Sequence, residues 1–166
     1  TVICTDKTGT ITENTMQLKS LYDFKSNQTF DEHQFHSPEL SELIHFAMWS
    51  SEPVPFDPME KTIHKIYEQT QSKDIRNTFK MIHEYPLEGK PPMMTHIYEN
   101  DAKERIIAAK GAPEAILAVC QLSQKESKHL RELIQTFGSQ GFRVLGVAKS
   151  NFDGMHFFDK QQDFPF

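Results

Sequence analysis

Three extended runs dominate the middle of the chain. They are Lys80-Met81-Ile82-His83-Glu84-Tyr85-Pro86-Leu87, Met93-Met94-Thr95-His96-Ile97-Tyr98-Glu99 and Arg105-Ile106-Ile107-Ala108-Ala109. Asn100-Asp101-Ala102-Lys103, between the last two, reads as a hairpin turn, because Asn and Asp bond their own backbone and tolerate tight conformations. Strands joined by so short a turn must run antiparallel. Helices lie on either side of this block. Upstream, Ser37-Pro38-Glu39 opens one, and Leu40, Leu43, Ile44 and Ala47 then fall on a single stripe. Ser51-Glu52-Pro53-Val54-Pro55 breaks it. Asp57-Pro58-Met59-Glu60 opens a second helix, with Asp57 as cap and Glu60 where a capping-box carboxylate reaches back. Downstream, Ala112-Pro113-Glu114 begins a short helix that runs to Cys120. Ser123-Gln124-Lys125-Glu126 is a capping box for another, with Leu130, Leu133, Ile134 and Phe137 on one face. Gly138 and Gly141 are expected to end it. Residues 16–24 read as a first strand, 26–36 as a turn and polar stretch, and 142–149 as a last strand. Strands gathered together with helices beside them predict an α+β fold: a largely antiparallel twisted sheet flanked by two helix pairs.

Composition narrows the function. The chain has 166 residues, 37% of them hydrophobic, a net charge of −5 and a pI near 5.9. That balance argues against a general nucleic-acid surface or an anionic-membrane surface. Cys4 and Cys120 sit in apolar runs and provide no disulfide framework, which fits a reduced, cytosolic setting. No apolar run approaches the roughly 20 residues that a membrane helix needs. The eight histidines show no metal-ligand spacing with the cysteines and read as surface or satisfied polar groups. Gly89-Lys90 is followed by proline, so there is no Walker loop. The chain begins inside a strand and stops on Asp163-Phe164-Pro165-Phe166, which leads us to expect a piece of a longer protein.

Asp6-Lys7-Thr8-Gly9-Thr10-Ile11-Thr12 follows the apolar run Val2-Ile3-Cys4. An acid just past a strand end stands where open α/β sheets place ligands. Lys7 can offset phosphate charge, and Gly9 lets the backbone approach. The heptad resembles the phosphorylation signature of the P-type ATPases, the pumps that pass through an aspartyl-phosphate. The resemblance implies that Asp6 is the nucleophile, with Lys7 and Thr8 beside it in the catalytic set. Related phosphatases carry a second Asp two residues on, which hastens loss of the phosphate. Thr8 stands there instead and cannot deprotonate water at neutral pH, so the phosphoryl-enzyme should persist. The family also implies Mg²⁺ held by Asp6 and by the backbone carbonyl at Thr8.

Further stretches resemble the nucleotide-binding domain of that family. Lys110-Gly111-Ala112-Pro113-Glu114 is a strand end, a glycine and a helix start; in the family its Lys lines the ATP pocket. Tyr85 to Met94 resembles the segment in which an aromatic stacks on adenine and a Lys approaches the phosphates, which implies Tyr85 and Lys90. Asp57-Pro58-Met59-Glu60 resembles the segment whose acid bonds the adenine amino group, implying Glu60, positioned by Asp57. Gly141-Phe142-Arg143-Val144-Leu145 resembles the segment whose Arg contacts phosphate, implying Arg143. This reading requires Tyr85, Lys110 and Glu60 to share one cleft.

The resemblance implies a domain division: 1–15 from a phosphorylation domain and hinge, 16–150 a nucleotide-binding domain, and 151–166 a return hinge and the start of the phosphorylation domain. It implies ATP and Mg²⁺ as cofactors. The partners implied are the remaining phosphorylation, actuator and transmembrane domains of the same pump, placing this piece on the cytoplasmic face of a membrane, without inserting into it and without nucleic acid. The motif set resembles the branch that pumps calcium, protons or sodium and potassium. A base stack contributes roughly 1–3 kcal/mol and association costs at least about 4 kcal/mol. Binding by the piece alone is therefore expected near ~1 mM, with no turnover. Two other readings stand beside this one: a phosphatase of the aspartate-nucleophile superfamily, which would need a second catalytic Asp near Asp6, and a non-catalytic nucleotide-sensing module, in which Asp6 would not be phosphorylated.

Overall fold

The computed structural model describes residues 15–71 and 73–166. Its centre is a four-stranded sheet, β3 (Phe79–Glu88), β4 (Met93–Asn100), β5 (Arg105–Gly111) and β6 (Gly146–Ser150), antiparallel throughout and paired in that order. A separate hairpin, β1 (Ser20–Asp23) and β2 (Gln28–Asp31), precedes it. The helices are α1 (Ser41–Trp49), α2 (Pro58–Thr70), α3 (Pro113–Val119) and α4 (Gln124–Ser139). The fold is α+β with antiparallel sheets, as the strand and helix order predicts.

Register decides which side chains share a face. Glu84 pairs with His96 and His96 with Ala108, while Met94 pairs with Lys110. Because side chains alternate along a strand, Glu84, His96, Tyr98, Ile106, Ala108 and Lys110 project to one face. That face carries α1 and α2: Tyr98, Ile106 and Ala108 join Leu40, Ile44, Met48, Trp49, Ile63 and Tyr67 in the larger core. Trp49 lies edge-on to Tyr98, ring centroids 4.5 Å apart, which pins the end of α1 to β4. Residues of the other set, Tyr85, Ile97 and Ile107, face away and are covered by Phe164 with Phe152, Phe157, Phe158 and Phe166 of the C-terminal segment. Gln161 reinforces this cover by accepting from Thr95 Oγ1 at 2.9 Å and donating to the Met93 carbonyl at 3.0 Å. The segment expected as a return hinge therefore lies folded on the sheet.

The capping signals act as their chemistry dictates, with one change. Asp57 accepts from the Met59 amide at 2.8 Å and caps α2. Ser123 and Glu126 close a full capping box on α4. Glu60 does not reach back to its own cap; its carboxylate is drawn instead to Lys110 and to the Glu52 amide. Ser37 leads into a 3-10 turn, Pro38–Leu40, before α1 begins. β2 occupies part of the stretch expected as turn and polar coil, held by its pairing with β1. Strand geometry begins only at Gly146, so residues 142–145 of the expected strand lie outside the observed one. α4 has no fully buried residue; Leu130, Leu133, Ile134 and Phe137 line a mostly apolar cavity of about 650 Å³ shared with α1, α2 and the β1 strand.

Candidate functional site

The site is built where the α1–α2 connector crosses the end of β5. Lys110, the next-to-last residue of β5, is 3% exposed, and Glu60, in the first turn of α2, is 5% exposed. Their ammonium and carboxylate form an ion pair, and the Lys110 Nζ also donates to Ser51 Oγ at 2.9 Å. The Glu60 carboxylate accepts from the Glu52 amide at 3.3 Å, tying the connector to α2. Burial pushes the Lys110 ammonium below the ordinary lysine range, and the bond and charge of Glu60 work against that. Glu60 Oε2 is buried without a hydrogen-bond partner among the described residues. A buried carboxylate oxygen in that state is a strong acceptor.

A buried pair of this kind is a poor stabilising device. Replacing such pairs by apolar residues is often neutral or favourable, because desolvation offsets the attraction. Stability alone therefore does not account for it, and the Glu60 Oε2 oxygen keeps capacity to accept from an N–H or O–H group.

Gly111 is held by sterics. A Cβ there would lie 2.5 Å from the Pro92 carbonyl oxygen and 2.7 Å from the Met93 Cα. The Ala112 amide already donates to the Pro92 carbonyl at 2.9 Å. Close strand packing thus accounts for the glycine of Lys110-Gly111-Ala112-Pro113-Glu114.

The other expected residues divide. Asp57 stands three residues before Glu60 as the cap of α2. Lys90 is exposed in the β3–β4 turn, next to the Met93–Gly111 pair at the same end of the sheet. Arg143 is exposed in the segment leading into β6, whose first residue pairs with Gly111. Among the described residues, neither forms an ion pair with Glu60. Tyr85 is not brought to the cluster. It pairs with Thr95, on the opposite face from Lys110 and Glu60, and is only 8% exposed. Its ring meets Phe164 edge-on at 5.7 Å, and its hydroxyl donates to the Phe158 carbonyl. The expected three-residue cleft is thus reduced to Lys110 and Glu60: strand alternation sends Tyr85 through the sheet while its neighbour Glu84 faces the site. Leu87, two residues on, is exposed. Asp6, Lys7 and Thr8 lie outside the described residues.

Three further groups that sequence reading left aside gather beside Lys110. Glu52 comes from the connector, and Glu84 and His96 are direct cross-strand partners. One ligand-capable atom from each lies within 4.8 Å of the others. His96 is 0% exposed and neither ring nitrogen has a hydrogen-bond partner among the described residues, so it departs from the surface or satisfied role expected of the histidines. Burial, with Lys110 nearby, holds the imidazole below the ordinary histidine range, against the pull of Glu84. Only the β3–β4 register could have revealed this group.

The family model described as P-type ATPase, cytoplasmic domain N, matches residues 54–165. The chain is 26% identical over 158 residues to Plasma membrane ATPase 2 of Saccharomyces cerevisiae, covering 92% of this chain and 16% of that protein. It is 29% identical over 147 residues to a probable cation-transporting P-type ATPase of Mycoplasma genitalium, covering 89% and 16%. It is also 24% identical to a calcium-transporting ATPase of Bacillus subtilis, covering 89% and 21%. The chain thus spans about one-sixth to one-fifth of the length of these relatives. None of the described helices is long and apolar enough to cross a membrane.

Proposed function

Because the chain belongs to the P-type ATPase cytoplasmic domain N family, we propose that it is the ATP-holding part of an ion-pumping ATPase and presents the γ-phosphate to Asp6. The observation that carries the reading is the buried Glu60–Lys110 pair with its unpartnered carboxylate oxygen. Glu60 Oε2 would accept from the exocyclic amino group of adenine. The Lys110 ammonium, fixed by Ser51 and Glu60, lines the pocket wall and supplies the fixed positive charge nearest the base. Desolvation strengthens both interactions relative to water. Lys90 and Arg143, exposed on loops at that end of the sheet, are the groups that would meet the polyphosphate. Exposed charges contribute little singly, so the isolated chain would bind weakly, near ~1 mM.

Asp6 would take the phosphate, with Mg²⁺ supplying charge neutralisation at Asp6 and the Thr8 carbonyl. The division at 15, the coupling to cation transport and the cytoplasmic placement belong to the same proposal. Titration of the purified chain with ATP, following backbone amide shifts, tests the pocket. Glu60, Lys110 and Gly111 should shift together at millimolar nucleotide. Silence at all three positions overturns the reading. In the full-length protein, acid-stable phosphate on Asp6 separates a pump from a nucleotide sensor.

A further inference from the structure

The geometry points to a transition-metal site, of the class that takes Zn²⁺, formed by Glu52, Glu84 and His96. It does not depend on the nucleotide reading, since none of its ligands has a role there.

The groups are positioned by rigid elements. Glu84 and His96 face each other across the β3–β4 ladder. Glu52 follows directly on Ser51, which is held by its bonds to the Ala47 carbonyl and to Lys110. Opposite His96 on the other side, β5 carries the small side chain of Ala108.

The spacing is too wide for hydrogen bonds and suits an ion between the groups. His96 Nε2 and Glu84 Oε1 are 4.0 Å apart, beyond bonding distance. Tetrahedral Zn–N and Zn–O bonds of about 2.0–2.2 Å place two ligand atoms about 3.3–3.6 Å apart, a few tenths of an ångström closer than His96 and Glu84 stand. The set as a whole spans up to 4.8 Å, so modest rotation of the two glutamates closes it. Glu52 is half-buried and Glu84 exposed, which gives the carboxylates freedom to rotate and the ion a way in.

The energetics point the same way. The fully buried His96 imidazole has only the main chain of Trp49 and Ser51 beside it, outside good hydrogen-bond geometry, and coordination would satisfy one ring nitrogen. The main chain of Trp49 and Ser51 lies beside the ring, where the second nitrogen could find the orienting acceptor that metal-bound histidines use. One imidazole and two carboxylates suit Zn²⁺ and its neighbours, whereas Mg²⁺ prefers oxygen ligands and retained water.

The test is calorimetric titration of the purified chain with Zn²⁺ alone, near neutral pH and without nucleotide, with Mg²⁺ as control. One Zn²⁺ per chain should bind, and the His96 ring nitrogen resonances should move. Glu84→Gln and Glu52→Gln, both at positions open enough to keep the fold, should each weaken binding at least about tenfold, with circular dichroism confirming that they fold. No stoichiometric Zn²⁺ binding at micromolar metal overturns the site. Binding of equal strength in both variants overturns it as well, because the ion would then sit on other histidines or on a cysteine.

Discussion

Tyr85 and Lys110 stand on opposite faces of one sheet, Tyr85 paired to Thr95 and Lys110 to Met94 on neighbouring positions of β4. One residue along a strand is enough to separate a side chain from a site. The two residues should therefore respond differently to change.

Tyr85→Phe removes only the hydroxyl bond to the Phe158 carbonyl. A loss of about 1 kcal/mol is expected, with the ATP-induced shifts of Glu60 and Lys110 unchanged. Denaturant unfolding and the same nucleotide titration read both. A loss of those shifts would show that the ring reaches the nucleotide after all.

Glu60→Gln leaves the Lys110 ammonium buried without its counter-charge. Destabilisation of about 3–5 kcal/mol is expected, whereas the paired change Glu60→Gln with Lys110→Met should recover much of it. Urea midpoints of the unmodified chain, the two single variants Glu60→Gln and Lys110→Met, and the double variant give the coupling. Nucleotide shifts should vanish in the double variant although it folds.

Gly111→Ala pushes a methyl group into the Pro92 carbonyl oxygen and the Met93 backbone. Neither is the end of a flexible side chain, so the β4–β5 ladder must part locally. The expected cost is about 1–3 kcal/mol. It would appear as a lowered melting temperature and faster amide exchange at Met93 and Ala112.

His45, His64 and His96 are all held below the ordinary histidine range, in each case chiefly by burial. Their folded values lie below the unfolded one of about 6.5. Between the two, the unfolded chain binds more protons, so stability rises with pH across that window and is lost as pH falls through it. Urea midpoints measured from pH 7 downward should drop over that range. Flat midpoints there would mean that the three rings are not neutral in the fold.

Local chemistry was the legible part of the sequence. Asp57 and Ser123 announce their helices because a cap is a contact between near neighbours. The hairpin at Asn100–Lys103 is equally local, with Lys103 at a φ of 65°. β2 was not legible: its stretch buries a single residue, Phe30, and owes its extended form to β1. For the site, residue type led to Glu60 and Lys110, since the motifs around them are distinctive. The gathering of Glu52, Glu84 and His96 depends on strand register and on where the connector crosses the sheet, which no local pattern carries. The same register misplaced Tyr85: the resemblance names a segment, and whether a given residue of it looks inward or outward is fixed by its partner strand.

The aromatic segment laid across Tyr85, Ile97 and Ile107 has a practical corollary. Cutting the chain after Ser150 would strip one whole side of the sheet and leave a greasy slab in water, prone to clump. Any shortened version meant for the bench should keep its last phenylalanines, however much that stretch looks like mere connection.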